Sequence, residues 1–123
     1  MIDLQTIVTS RSKLTVIEKL PFDIKRVYYL HSIKDENRAG HAHKDLRRLL
    51  IAVHGTFSAY LDGELFVLGE PTKAMLIEPL QWLELRTFSN DAVVLVIASK
   101  EHDDLDCIRS KEELLKLKME YSK

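Results

Sequence analysis

The chain has 123 residues, 46% of them hydrophobic, with 18 Lys and Arg against 19 Asp and Glu and a net charge of -1. That balance argues against a nucleic-acid or membrane-surface partner, and the length predicts one domain, residues 1–123, with a core of its own. The longest apolar run, Ala92–Ala98, falls far short of the ~18 residues of a membrane helix. Met1–Ser10 carries Asp3 and lacks a basic flank before a long apolar run, so no signal peptide is expected. A single cysteine, Cys107, leaves no internal disulfide and suits a reducing cytoplasm; its thiol reads as inert.

In chain order, Leu14–Glu18 is a short β-type run broken by Pro21. Lys25–His31 alternates and is rich in Val and Tyr, with Arg26, Tyr28 and Leu30 on one face and Val27, Tyr29 and His31 on the other. Lys34–Asn37 is a polar loop. A strand carrying His41 and His43 follows, then the apolar run Arg48–His54. Thr56–Leu61 and Glu64–Leu68 flank Asp62-Gly63, the pair of residues that best supplies the two positive φ angles of a type I′ hairpin turn. Lys73–Glu78 and Trp82–Phe88 are further strands, and Ala92–Ser99 is a near-continuous apolar strand of the fully buried kind. After Ser99 the character changes. Lys111–Met119 places leucines at helical spacing, with Ser110 as the cap and Glu113 at the third position of a capping box. Many short strands with regular turns and one terminal helix predict an all-β sandwich or barrel, best drawn as a jelly roll with a ligand in its mouth.

The chemistry concentrates in Arg38-Ala39-Gly40-His41-Ala42-His43-Lys44. On a strand, side chains two apart share a face about 7 Å from one another, so the two imidazoles project together. They are either a shared proton-handling or metal-binding pair in one cavity or a solvated pair on an edge strand; neutral imidazoles at matched spacing suit the first.

The His41-x-His43 strand followed by Gly55 resembles the first motif of the cupins. Pro79 fits the second motif, but Leu83 stands where its histidine is expected, and Arg47 and Arg48 stand in the region of the usual glutamate. Two histidines fall short of the ordinary ligand set, so no metal and no other cofactor is expected. A closer resemblance runs through most of the chain. Ser10-Arg11, Pro21-Phe22 with Ile24–Tyr29, Arg38–Lys44, Phe88-Ser89 with Asp91, Ala98-Ser99, and Asp106 with Ile108-Arg109 are similar to the sugar-nucleotide 3,4-ketoisomerases acting on dTDP-4-keto-6-deoxyglucose. The chain departs from them at Ser12, at Ala39-Gly40, at Arg48 (usually Gln) and at Leu83 (usually His).

The resemblance implies a cytoplasmic, homodimeric cupin-type jelly-roll barrel with a C-terminal helix, an isomerase in deoxyaminosugar pathways for surface polysaccharides such as lipopolysaccharide. His41 and His43 would carry the proton between C3 and C4; which is the base stays open. Arg38 and Arg26, the latter beside Tyr28 on its strand face, are the leading candidates for the diphosphate, since a guanidinium fork matches that oxyanion. Arg11 and Arg109 follow by family position. Each arginine is otherwise a surface salt bridge. Trp82 either stacks on the base or sugar or packs in the core. Arg48 either binds an anion in the cavity or pairs with a carboxylate such as Glu84. Two other readings are a non-catalytic cupin that binds a sugar nucleotide or partner enzyme, and a metal-dependent cupin.

Overall fold

A computed structural model describes residues 1–34 and 38–121; most of the predicted polar loop, from Asp35 to Asn37, lies outside the described residues. The strands are β1 (Ile2–Asp3), β2 (Gln5–Val8), β3 (Lys13–Val16), β4 (Arg26–Leu30), β5 (Arg38–His43), β6 (Arg48–His54), β7 (Phe57–Leu61), β8 (Glu64–Leu68), β9 (Lys73–Ile77), β10 (Leu83–Arg86), β11 (Val93–Ala98) and β12 (Cys107–Ile108). A 3-10 turn, Asp104–Asp106, precedes β12, and the helix α1 spans Lys111–Tyr121. Two antiparallel five-stranded sheets, β1-β9-β6-β11-β4 and β12-β5-β10-β7-β8, face one another, and β2-β3 form a separate hairpin. The fold is the all-β jelly roll with a C-terminal helix that the strand pattern predicts, of the cupin type that the resemblance implies.

Alternation explains where each strand points. Leu50, Ala52, Met75, Val94 and Val96 of the first sheet meet Phe57, Ala59, Leu83 and Leu85 of the second in the main core. The intervening residues of the first sheet, Leu49, Ile51, Ala74 and Ile97, are buried too, because Leu4, Ile17, Leu20 and Phe22 fold over that sheet's outer face. Double burial is why β6 and β11 read as continuous apolar runs rather than alternating ones. Arg48 has the parity of Leu50 and faces the barrel interior.

The predicted turns form. Asp62 and Gly63 take φ of 50° and 85°, and β7 pairs with β8 from Phe57↔Leu68 to Leu61↔Glu64. Ser110 caps α1 by accepting the Glu113 N–H at 3.3 Å. Leu114 and Leu117 lay the helix on Ala42, Ile108, Leu80 and Trp82, the outer side of β5 and β12. Among the described residues no helix is long and apolar enough to cross a membrane. The sequence reading omits β1, β2 and β12. The two-residue strands β1 and β12 exist only through their partners, β9 and β5.

Candidate active site

One end of the barrel opens into a cavity of about 260 Å³. β4 contributes Arg26 and Tyr28, β5 contributes Arg38, His41 and His43, and β6 contributes Arg48. The segment after β11 closes the rim with Lys100, His102, Asp106, Cys107 and Arg109. A smaller inner space of about 80 Å³ shares Tyr28, Arg38, His41 and Arg48 and continues between Leu30, Leu50, Leu83, Leu85 and Val96. The mouth is therefore polar and carries both charges, and the inner space is apolar on its Leu30, Leu50, Leu83, Leu85 and Val96 side, with Arg48 its one buried guanidinium.

His41 and His43 project from β5 into this cavity, their rings edge to face with centroids 5.2 Å apart. The opposite parity faces out. Gly40 lies under the Trp82 indole, where an added Cβ would clash with Nε1, and Ala42 lies under α1. So small residues at 40 and 42 let the outer layer close down on β5 while the imidazoles face inward.

Arg48 Nη1 stands 3.4 Å from His41 Nε2. A guanidinium can only donate, so in this contact Nε2 is the acceptor. His43 Nδ1 is 3.4 Å from Asp106 Oδ2, an ion-pair separation without hydrogen-bond alignment, since that nitrogen has no hydrogen-bond partner. Asp106 is held by the Leu46 N–H, which donates to Oδ2 at 3.2 Å, with Lys100 Nζ 4.0 Å from Oδ1. Burial, then the Arg48 charge, then His41, Arg109 and His102 push the His43 pKa down to about 3. His43 is thus neutral at pH 7 and carries a lone pair. Arg48 is 6% exposed; burial lowers its pKa and the neighbouring Tyr28 opposes that. Arg26 lies over the Tyr28 ring, 4.3 Å from its centroid. Among the described residues no group of three or more His, Cys, Asp and Glu is placed to hold a metal.

The structure brings His41, His43, Arg26, Tyr28, Arg38, Arg48 and Arg109 to one cavity. It places two predicted site residues elsewhere. Arg11 sits at the exposed tip of the β2-β3 hairpin, in a turn closed by the Thr9 N–H donating to the Ser12 carbonyl, and does not line the cavity within this chain. Trp82 does not face the ligand space. Leu83 and Leu85 take the inward positions of β10, which turns Trp82 outward to pack with Ala42 and Ile108 and to donate Nε1–H to Glu84 at 3.2 Å. The suggested Arg48–Glu84 pair does not form, because Glu84 accepts from Arg86 instead at 2.8 Å. Conversely, Asp106 and Cys107 belong to the cavity. Their place depends on β12 pairing with β5, Cys107 opposite His43, which no local sequence signal announces.

The family described as FdtA: WxcM-like, C-terminal matches residues 1–119. A protein of Aneurinibacillus thermoaerophilus named TDP-4-oxo-6-deoxy-alpha-D-glucose-3,4-oxoisomerase is 37% identical over 117 residues, 89% of this chain and 84% of the relative. The structure of a sugar 3,4-ketoisomerase from Thermoanaerobacterium thermosaccharolyticum, solved with TDP, superposes with a TM-score of 0.91 at 34% identity, covering 98% of this chain and 93% of that one. A TDP-quinovose 3,4-ketoisomerase from Campylobacter jejuni gives a TM-score of 0.88 at 35% identity, covering 93% and 94%. The resemblance to sugar-nucleotide ketoisomerases drawn from Pro21–Tyr29, Arg38–Lys44 and the tail is borne out, and this chain belongs to the FdtA, WxcM-like C-terminal family.

Proposed function

We propose that this protein is an isomerase that converts TDP-4-keto-6-deoxyglucose to a TDP-3-keto-6-deoxyhexose. The observation that carries the reading is the His41–His43 pair, ring centroids 5.2 Å apart on one cavity wall. A proton at C3 of a 4-keto sugar is acidified by the adjacent carbonyl. A neutral imidazole removes it, the C3–H electron pair forms the C3–C4 double bond, and the carbonyl π electrons move to O4. Collapse in the other sense returns a proton to C4, makes O3 the carbonyl and leaves O4 a hydroxyl. One hydrogen has moved from C3 to C4 and one from O3 to O4, so the step is redox-neutral overall. Two imidazoles serving adjacent carbons in a partly closed cavity suit this transfer.

Arg26 and Arg38, with Arg109 at the rim, are the groups for the diphosphate; Arg38 and Arg109 are exposed at the mouth while Arg48 is buried at the floor. That gradient supports the nucleotide lying outward and the sugar inward. The relatives' printed substrate and ligand, a TDP-linked 4-oxo sugar and TDP, support the same orientation of roles. His41→Asn and His43→Asn should each lose product formation, followed by NMR, while TDP affinity by calorimetry stays intact. Unimpaired turnover in both would remove the pair from the mechanism. A non-catalytic sugar-nucleotide binder is the second reading, favoured by Arg48 and Leu83, which replace the Gln and His usual in relatives.

The reading includes a homodimer in the cytoplasm, serving deoxyaminosugar assembly for surface polysaccharides. Its support is apolar surface without cover in one chain: Ile7, Val8 and Leu14 on the hairpin, and Val27 and Tyr29 on edge strand β4, are all exposed. An edge of this kind is ordinarily capped. Light scattering should give twice the 14.2 kDa chain mass; a monomer at micromolar concentration would end this part of the reading.

A further inference from the structure

We propose that Arg48 is a catalytic residue: its guanidinium fork holds the vicinal oxygens O3 and O4 and stabilises the enediolate between the two keto forms. The inference rests on the ketoisomerase reading and assigns Arg48 a task that diphosphate binding does not cover.

Three observations lead to it. First, Arg48 is a cation at the floor of the cavity, 6% exposed, with no carboxylate within 4 Å among the described residues; its polar neighbours include His41, Tyr28, His43 and Cys107. A buried charge without a counter-ion is costly, and the Nε–H is buried with no acceptor at all. A protein that keeps such a group has its compensating charge arrive with the ligand. Second, the position suits the sugar's end. Arg26 and Arg109 line only the outer cavity, whereas Arg48, with Arg38 and His41, also walls the small inner space against Leu50, Leu83 and Val96, and of the two arginines there only Arg48 is buried. Third, Nη1 reaches to 3.4 Å from His41 Nε2. An oxygen gripped by the same guanidinium therefore lies next to the carbon that a neighbouring imidazole deprotonates.

The chemistry fits the fork. When the C3–H bond breaks, its electron pair enters the C3–C4 double bond, the carbonyl pair moves onto O4, and the proton goes to imidazole. On collapse the negative charge passes from O4 to O3. A planar bidentate donor spanning both oxygens follows that charge without moving, as a single ammonium cannot, and its value rises in a site with little water. The same geometry couples base strength to the reaction. Arg48 is a main reason, after burial, that His43 is a poor proton acceptor in the free protein. Negative charge developing against Arg48 cancels that repulsion, so the imidazole gains basicity as the proton leaves C3.

The test compares wild type with Arg48→Gln and Arg48→Lys, each checked for folding by thermal melting. TDP affinity is measured by calorimetry, and turnover of TDP-4-keto-6-deoxyglucose by NMR. TDP lacks the sugar, so its affinity should be unchanged in both variants. kcat in Arg48→Gln should fall roughly 10²–10³-fold, the loss seen when an oxyanion donor is removed, with a smaller effect on KM. Arg48→Lys keeps the charge without the fork and should fall between the two. Should Arg48→Gln not fold, Arg48→Lys alone decides: a kcat loss with TDP affinity kept supports the assignment. Wild-type turnover in either variant, or a loss of TDP affinity that matches the loss of rate, overturns it. Wild-type protein that turns over no substrate sinks the ketoisomerase reading and this inference together; active wild type with an active Arg48→Gln variant sinks the inference alone.

Discussion

Acid should destabilise this protein through His43 in particular. Its pKa is about 3 in the folded chain, lowered by burial first and by the Arg48 charge second, against 6.5 for the ordinary group. Between those values the unfolded chain binds a proton that the folded chain refuses, so stability is complete above the unfolded pKa and falls as pH drops toward the folded one. Integrating from pH 7 to pH 5 gives a loss of about 2 kcal/mol for a fully shielded ring. The side chain is 15% exposed and sits on an open cavity, so solvent screening brings the working figure to ~1 kcal/mol. Urea denaturation of wild type and His43→Asn at both pH values isolates the effect, because every other titrating group is common to the two. Wild type should lose more stability than the variant by that amount. Parallel pH dependences, or a wild type that gains stability in acid relative to the variant, would refute the placement of a neutral, desolvated imidazole beside Arg48.

Arg26→Ala and Arg38→Ala should each weaken TDP binding about tenfold to hundredfold, the cost of one charge-assisted donor; unchanged calorimetric affinity in both would move the diphosphate elsewhere. Gly40→Ala should drive a methyl into the Trp82 indole and cost about 1–3 kcal/mol in overpacking, with TDP affinity retained because that face is outside the cavity. Trp82→Phe removes the clashing indole atoms, so it should relieve the Gly40→Ala penalty in a double-mutant cycle; strictly additive losses would contradict the packing described.

Much of the site was legible because β-strand parity is a local property. His41 and His43 fall on one face of β5 by spacing alone, and Arg26 and Tyr28 on one face of β4 by the same rule. Asp62-Gly63 announced its hairpin through the φ angles the turn needs. Trp82 was open between stacking on the ligand and packing in the core, and parity decides it: apolar Leu83 and Leu85 claim the inward positions of β10 and send Trp82 outward. Arg48 was harder to place. It heads a run, Leu49–Val53, in which double burial of the sheet erases the alternation that would have shown its direction. Asp106 and Cys107 were beyond local reading. The Asp106 carboxylate accepts from Leu46, 60 residues earlier in the chain, and only the closed barrel makes them neighbours. Arg11 shows the limit of family position, for an exposed turn between Thr9 and Ser12 holds it away from the cavity of its own chain.

The central claim is that this cavity enolises a 4-keto sugar, and exchange at C3 reports that step before any product accumulates. Purified protein is incubated with TDP-4-keto-6-deoxyglucose in deuterated water, and loss of the C3 proton signal is followed by NMR beside the His41→Asn/His43→Asn double variant. The account predicts deuterium entering C3 rapidly with wild type and at the background rate with the double variant, while both bind TDP. Equal exchange in the two would show that the histidine pair does not move the proton, and background exchange in wild type would leave the protein a binder of sugar nucleotides rather than an isomerase of this one.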